Sequence, residues 1–135
     1  KTGAAIDIRN WAVQRISEPQ LPIYAALVND EVAAVVFAKV LLDKPGFAGI
    51  ADAREILPGV QGIGDDKQKI FDPAEFPDWI AVVTHWRERL HAVAREVKSG
   101  QAGVMFSDEK ALQYCEVLPL LRLPERRRLL AGKMA

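Results

Sequence analysis

A chain of 135 residues, half of them hydrophobic, supports one domain with a moderate core. Its 18 basic and 18 acidic side chains cancel, so net charge gives no argument for a polyanionic partner, and a single Cys excludes an internal disulfide framework. The lone thiol fits a reducing compartment, the sequence contains no secretory apolar region, and no apolar run nears the roughly 18 residues that span a bilayer. The reading is a soluble, cytoplasmic chain with no membrane partner.

The chain opens on Lys1-Thr2-Gly3, and residues 4–16 follow with no clean period; Trp11 is the expected anchor there. Ser17-Glu18-Pro19 supplies a helix start, with Ser17 or Glu18 near the cap and Pro19 in the first turn. Pro22 then also falls in the first turn, where its missing N–H costs little. The helix is expected from about residue 19 to 29, stopping at Asn29-Asp30. On it Gln20 and Tyr24 stand four apart, so both polar tips reach one place while Leu21, Ala25 and Val28 turn inward. Taken alone, such a Q-x-x-x-Y pair is also what a partly exposed helix shows by chance.

Val32 to Leu42 is a β-branched, apolar run too continuous for a half-exposed strand and too uniform for an amphipathic helix, so a buried strand is expected. Asp43-Lys44-Pro45-Gly46 reads as a turn, and Phe47 to Ala51 as a second strand paired antiparallel to the first. Arg54 to Asp66 carries Pro58 and glycines at 59, 62 and 64 and reads as a loop, with room for a short third strand around Val60 to Ile63.

Two helix starts follow: Asp72-Pro73-Ala74-Glu75, with Asp as cap and Glu three residues on, and Phe76-Pro77-Asp78. Phe76, Trp79, Ile80, Val83, Trp86, Leu90, Val93, Ala94 and Val97 then recur at three- and four-residue steps for about six turns. Arg87, Glu88, Arg89, Arg95, Glu96 and Lys98 fill the other face, and Ser99-Gly100 ends the helix. His85 and His91 miss the four-residue step of a helical zinc pair and read as ordinary, partly exposed histidines. The basic run Pro124 to Leu130 reads as a solvated terminal turn; its functional alternative is a strand-binding channel, but no aromatics interleave with it.

Together, Lys1-Thr2-Gly3 and Pro19-Gln20-Leu21-Pro22-Ile23-Tyr24-Ala25 resemble the PD-(D/E)XK nuclease superfamily, in its RecB-like and AddB-like branch of DNA repair helicase-nucleases. There, a strand ending in Asp-Tyr-Lys-Thr-Gly precedes a helix bearing Gln-Leu-Pro-Leu-Tyr-Ala. The resemblance implies that Lys1 is the catalytic lysine, that Gln20 and Tyr24 are the Q-x-x-x-Y pair, and that the metal-binding Asp lies two residues before Lys1. Ala111 to Leu123 further resembles the C-terminal signature of iron-sulfur nucleases of the AddB type, similar to Cys-x-x-Cys-Asp-(x)4-Cys-Arg. Only Cys115 stands in a ligand position, while Leu112 and Leu121 occupy two others. A four-thiolate cluster needs four Cys, so no iron-sulfur cluster is expected, and Leu112, Leu118, Leu120 and Leu121 replace it by apolar packing.

The expected fold class is α+β: a partial restriction-endonuclease-like fold, an antiparallel hairpin packed by the Q-x-x-x-Y helix and one long amphipathic helix. The whole chain, 1–135, is one domain, the C-terminal portion of a nuclease domain, with the active-site-side helix and hairpin in 1–53 and the long helix and tail in 72–135. The resemblance implies a metal-dependent DNA exonuclease or nuclease of recombination and repair, using Mg2+ in the intact domain, with DNA and a helicase subunit or domain as partners. The 135-residue piece is expected to be inactive by itself and to bind no metal. Asp7, Asp30 and Asp52 are carboxylates to which nothing assigns a metal. A non-catalytic, degenerate nuclease-fold scaffold binding DNA or a helicase partner is the alternative. Without the front strands of the nuclease sheet, the hairpin is expected to expose an edge and to self-associate.

Overall fold

A computed structural model describes residues 7–28, 31–40, 45–101, 116, 122 and 123. The chain divides into two compact units, Lys1–Ser99 and Gly100–Ala135. Every element described here lies in the first unit, and it mixes helix and sheet, as the α+β reading expects.

A 3-10 turn, Arg9–Trp11, sets Trp11 fully inside. Helix α1 covers Gln20–Leu27. It starts one residue after Pro19, whose carbonyl accepts from the Ile23 N–H at 2.8 Å. Ser17 and Glu18 stand just before the cap position. Pro19 occupies the cap position without a side-chain bond, and the Glu18 carbonyl accepts instead from the Trp11 indole at 3.1 Å. Pro22 sits in the first turn and is buried, as the missing N–H allows.

The helix stops two residues short of the expected 29. Val28 is already extended (φ −70, ψ 134), its N–H closing on the Tyr24 carbonyl at 3.1 Å. Val28 therefore leaves the helix face and is 42% exposed, while Pro22 joins Ala25 inside. Being apolar nearly all round, this two-turn helix also leaves Leu27 72% exposed.

Strands β1 (Ala34–Lys39) and β2 (Gly46–Ala51) pair antiparallel from Ala34↔Ala51 to Lys39↔Gly46. The hairpin matches the expectation; the burial of its first strand does not. Only Val35 of β1 is buried, Ala38 is exposed, and Val40 beyond it is 70% exposed. β-Branched residues favour the pleated strand whether or not both faces are covered, so the apolar run marked strand geometry rather than two-sided burial. The core-side positions Val35 and Phe37 meet the helices and Trp11.

Gly49 stands opposite Val36, and a Cβ there would lie 2.1 Å from the Val35 carbonyl oxygen, so backbone contact reserves the position for glycine. The short third strand exists as β3, Gln61–Gly62, and it runs parallel to β2 rather than continuing the meander. The sheet order is β1-β2-β3.

Of the two helix starts the second is used. Helix α2, Trp79–Lys98, is capped by Asp78, whose carboxylate accepts from the Ala81 N–H at 2.8 Å. Asp72 closes its own turn instead, accepting from the Ala74 N–H at 2.9 Å, and Pro77 disfavours a helical conformation at Phe76. At the far end Ser99 bonds back to the Arg95 carbonyl at 2.9 Å and Gly100 takes φ +71, the left-handed stop.

Trp79, Val82 and Trp86 are the buried residues of α2. Val82 belongs to the inward stripe; Ile80 and Val97, which share the apolar spacing, are 74% and 73% exposed. The eight residues of α1 reach about 12 Å and the twenty of α2 about 30 Å, so the final turns of α2 outrun their partner helix.

Three tryptophans hold these pieces together. Trp86 meets Trp11 and Trp79 edge to face at 5.7 and 5.8 Å, and Phe71 at 6.2 Å. Each indole N–H donates to a backbone carbonyl elsewhere: Trp11 to Glu18, Trp86 to Trp11, and Trp79 to Val32. The core therefore joins the N-terminal turn, the start of β1 and α2 through both ring contacts and hydrogen bonds. Buried Gln68 supports it: its amide donates to the Phe71 carbonyl and accepts from the Ile70 and Phe71 N–H groups.

Candidate functional site

Helix α1 packs against α2 and β1, and Pro22 and Ala25 fix which way it faces. Gln20 and Tyr24 are then left on the outside, Tyr24 56% exposed, one turn apart on one face. An amide and a phenol thus both face outward, one helical turn apart. Leu27, three residues on, extends the same face with an apolar side chain.

Lys1, Thr2 and Gly3 lie outside the described residues, so of the three expected site residues the structure brings together Gln20 and Tyr24 only. Asp30, residues 111–115 with Leu112 and Cys115, residues 117–121 with Leu118, Leu120 and Leu121, and the basic run 124–130 also lie outside them. Glu116 is exposed, and Arg122 has positive φ (48).

Two of the other carboxylates are held by guanidinium groups. Asp7 grips the Arg9 side chain at 2.9 and 2.6 Å and accepts from the Arg9 N–H at 3.0 Å; these bonds pull its carboxyl down to about 2. Asp65 binds Arg54 at 2.7 Å and the Lys67 N–H at 3.1 Å, which lowers it as well. Asp52 does line a cleft of about 630 Å³ where the end of α1, the approach to β1 and the start of α2 meet. Glu31 and Asp78 share that cleft, but Asp78 is taken by its cap. Among the described residues no group of three or more His, Cys, Asp or Glu side chains is arranged to hold a metal ion.

His85 is half-buried against the Phe76 ring at 5.1 Å, and its Nε2 is buried without a hydrogen-bond partner among the described residues. Burial pushes its pKa down, with the Val13 backbone opposing. His91 is exposed. Sequence periodicity gave no sign of the cleft, because its walls come from three separate stretches of chain, residues 25–33, Asp52 and residues 78–87.

Among the described residues no helix is long and apolar enough to cross a membrane. Comparison with protein-family models, with curated proteins and with solved structures finds no match for this chain.

Proposed function

We propose that the chain is the C-terminal portion of a restriction-endonuclease-like, metal-dependent DNA nuclease domain acting in recombination and repair. One observation carries the reading. Gln20 and Tyr24 stand clear of the core on one face of a helix whose opposite side is fixed by Pro22 and Ala25. A sequence that uses two apolar turns and still keeps an amide and a phenol outward, at the spacing of the nuclease motif, is arranged for contact rather than for packing.

In this reading Gln20 and Tyr24 hold the nucleotide by hydrogen bonds to sugar or phosphate oxygens and keep the scissile group in register. The Lys1 ammonium stabilises the charge that builds on phosphorus oxygens as hydroxide attacks and the leaving oxygen departs. The bound Mg2+ supplies an activated water in such domains. No described residue of this chain is assigned to that ion, whose carboxylates the resemblance puts before Lys1. DNA and a helicase subunit or domain are the partners proposed with it.

The test is cleavage of linear DNA with Mg2+ by the intact protein and by its Lys1→Ala variant. Loss of one such charge-stabilising group is expected to slow cleavage by about 100- to 1000-fold. The 135-residue chain alone is expected to cut nothing. A Lys1→Ala protein with unchanged activity contradicts the proposal. The scaffold alternative, suggested by Leu112 and Leu121 at the thiolate positions, predicts DNA binding by the intact protein with no cleavage at all.

A further inference from the structure

The faces of α1 and α2 beside the Gln20–Tyr24 row leave an open groove of about 380 Å³. Its floor is apolar: Ile23 and Leu27 from α1, Leu90 and Val93 from α2. Its rim is cationic. Arg87 is exposed there, and Arg95 and Lys98, also exposed, continue its edge of α2 at helical steps.

Two details show that this groove is not a satisfied surface. Leu27 is 72% exposed although it sits on a helix with a packed core beside it. Arg87 is exposed and forms no ion pair among the described residues.

We propose that this groove docks an amphipathic helix of a partner protein, one that lays apolar side chains on Leu27 and Leu90 and carries Asp or Glu beside them. Charge complementarity selects the occupant. An apolar floor edged by Arg87 and Arg89, with no carboxylate among its lining residues, accepts a helix whose apolar stripe is flanked by carboxylates, in the helix-in-groove mode. A nucleic acid would meet the cations but leave the leucines in water, and a neutral apolar helix would leave Arg87 unanswered. The proposal does not depend on the nuclease reading.

Fluorescence anisotropy on the full chain tests it with two labelled synthetic helices of roughly 15 residues. One carries Leu at i, i+3 and i+7 flanked by Glu; the other has Lys in place of each Glu. The acidic helix is expected to bind at least about tenfold more tightly than the basic one. Leu27→Asp and Arg87→Glu, both at exposed positions, are each expected to weaken the acidic helix about tenfold, and Arg87→Glu to narrow the gap between the peptides. Unchanged tryptophan emission from the buried Trp core verifies that each variant is folded. Equal binding of the two helices, binding of neither, indifference to Leu27→Asp, or displacement of the acidic helix by a single-stranded oligonucleotide overturns the proposal. Variants at Gln20 and Tyr24, which belong to the nuclease reading, are expected to leave peptide binding unchanged.

Discussion

Trp86 has the most to lose on substitution. Its ring touches Trp11, Trp79 and Phe71, and its N–H satisfies the Trp11 carbonyl at 3.0 Å. Trp86→Ala is expected to cost about 3–5 kcal/mol in urea unfolding, the range for emptying a large aromatic site. Trp86→Phe keeps much of the packing but strands that carbonyl, a smaller loss of about 1–3 kcal/mol. The same scale holds a pH effect. Burial favours neutral His85, so its folded pKa lies below the 6.5 of the free side chain. The unfolded chain therefore takes up a proton first as pH falls. Stability is fully present above 6.5 and is lost as pH drops through the folded value. A thermal melt series from about pH 7.5 to 5 is expected to show a falling midpoint, flattened by His85→Asn and kept by His91→Ala. The carboxylates of Asp7 and Asp65 titrate below this window, since both are lowered from 3.8. Trp11 as an anchor was readable from its size in a polar stretch, and His85 as a partly exposed histidine; the burial of Gln68 was not, because it depends on residues that local spacing does not reveal.

At the scale of elements, α2 was the most legible because Trp79, Val83, Trp86 and Leu90 keep one period over about three turns and two stop signals close it. Which of two starts it used was decided by Pro77 and Asp78. Asp78→Ala is expected to cost about 1 kcal/mol of stability by the loss of the Ala81 N–H bond, measured by urea unfolding. The hairpin was legible from its β-branched run and turn residues. Its one-sided burial was not, since the same residues suit a strand with one packed face or two. The parallel pairing of β3 with β2 was equally hidden: Gln61 and Gly62 are too few to carry a pattern, and only Ile50 and Ala51 opposite them define the register. Helix α1 shows the limit of a motif. Q-x-x-x-Y correctly places two polar groups on one outward face, while the apolar residues around them do not reveal which side the core takes.

For the molecule as a whole, the α+β class was legible and the nuclease assignment rests on resemblance and on where α1 points. Lys1, the third expected member of the site, lies outside the described residues, so the spatial claim that reaches from structure to function is the outward pairing of Gln20 and Tyr24. Because Gln20 is exposed and Tyr24 is 56% exposed, replacing either is expected to change substrate handling without unfolding the chain. The most direct test is the steady-state rate of Mg2+-dependent cleavage of linear DNA by the intact protein and its Gln20→Ala and Tyr24→Ala variants. The account predicts that each lowers kcat/KM by about ten- to a hundredfold at an unchanged melting temperature, the loss of a hydrogen bond to a charged group. Full activity in both variants, or no cleavage by the unaltered protein, would contradict it.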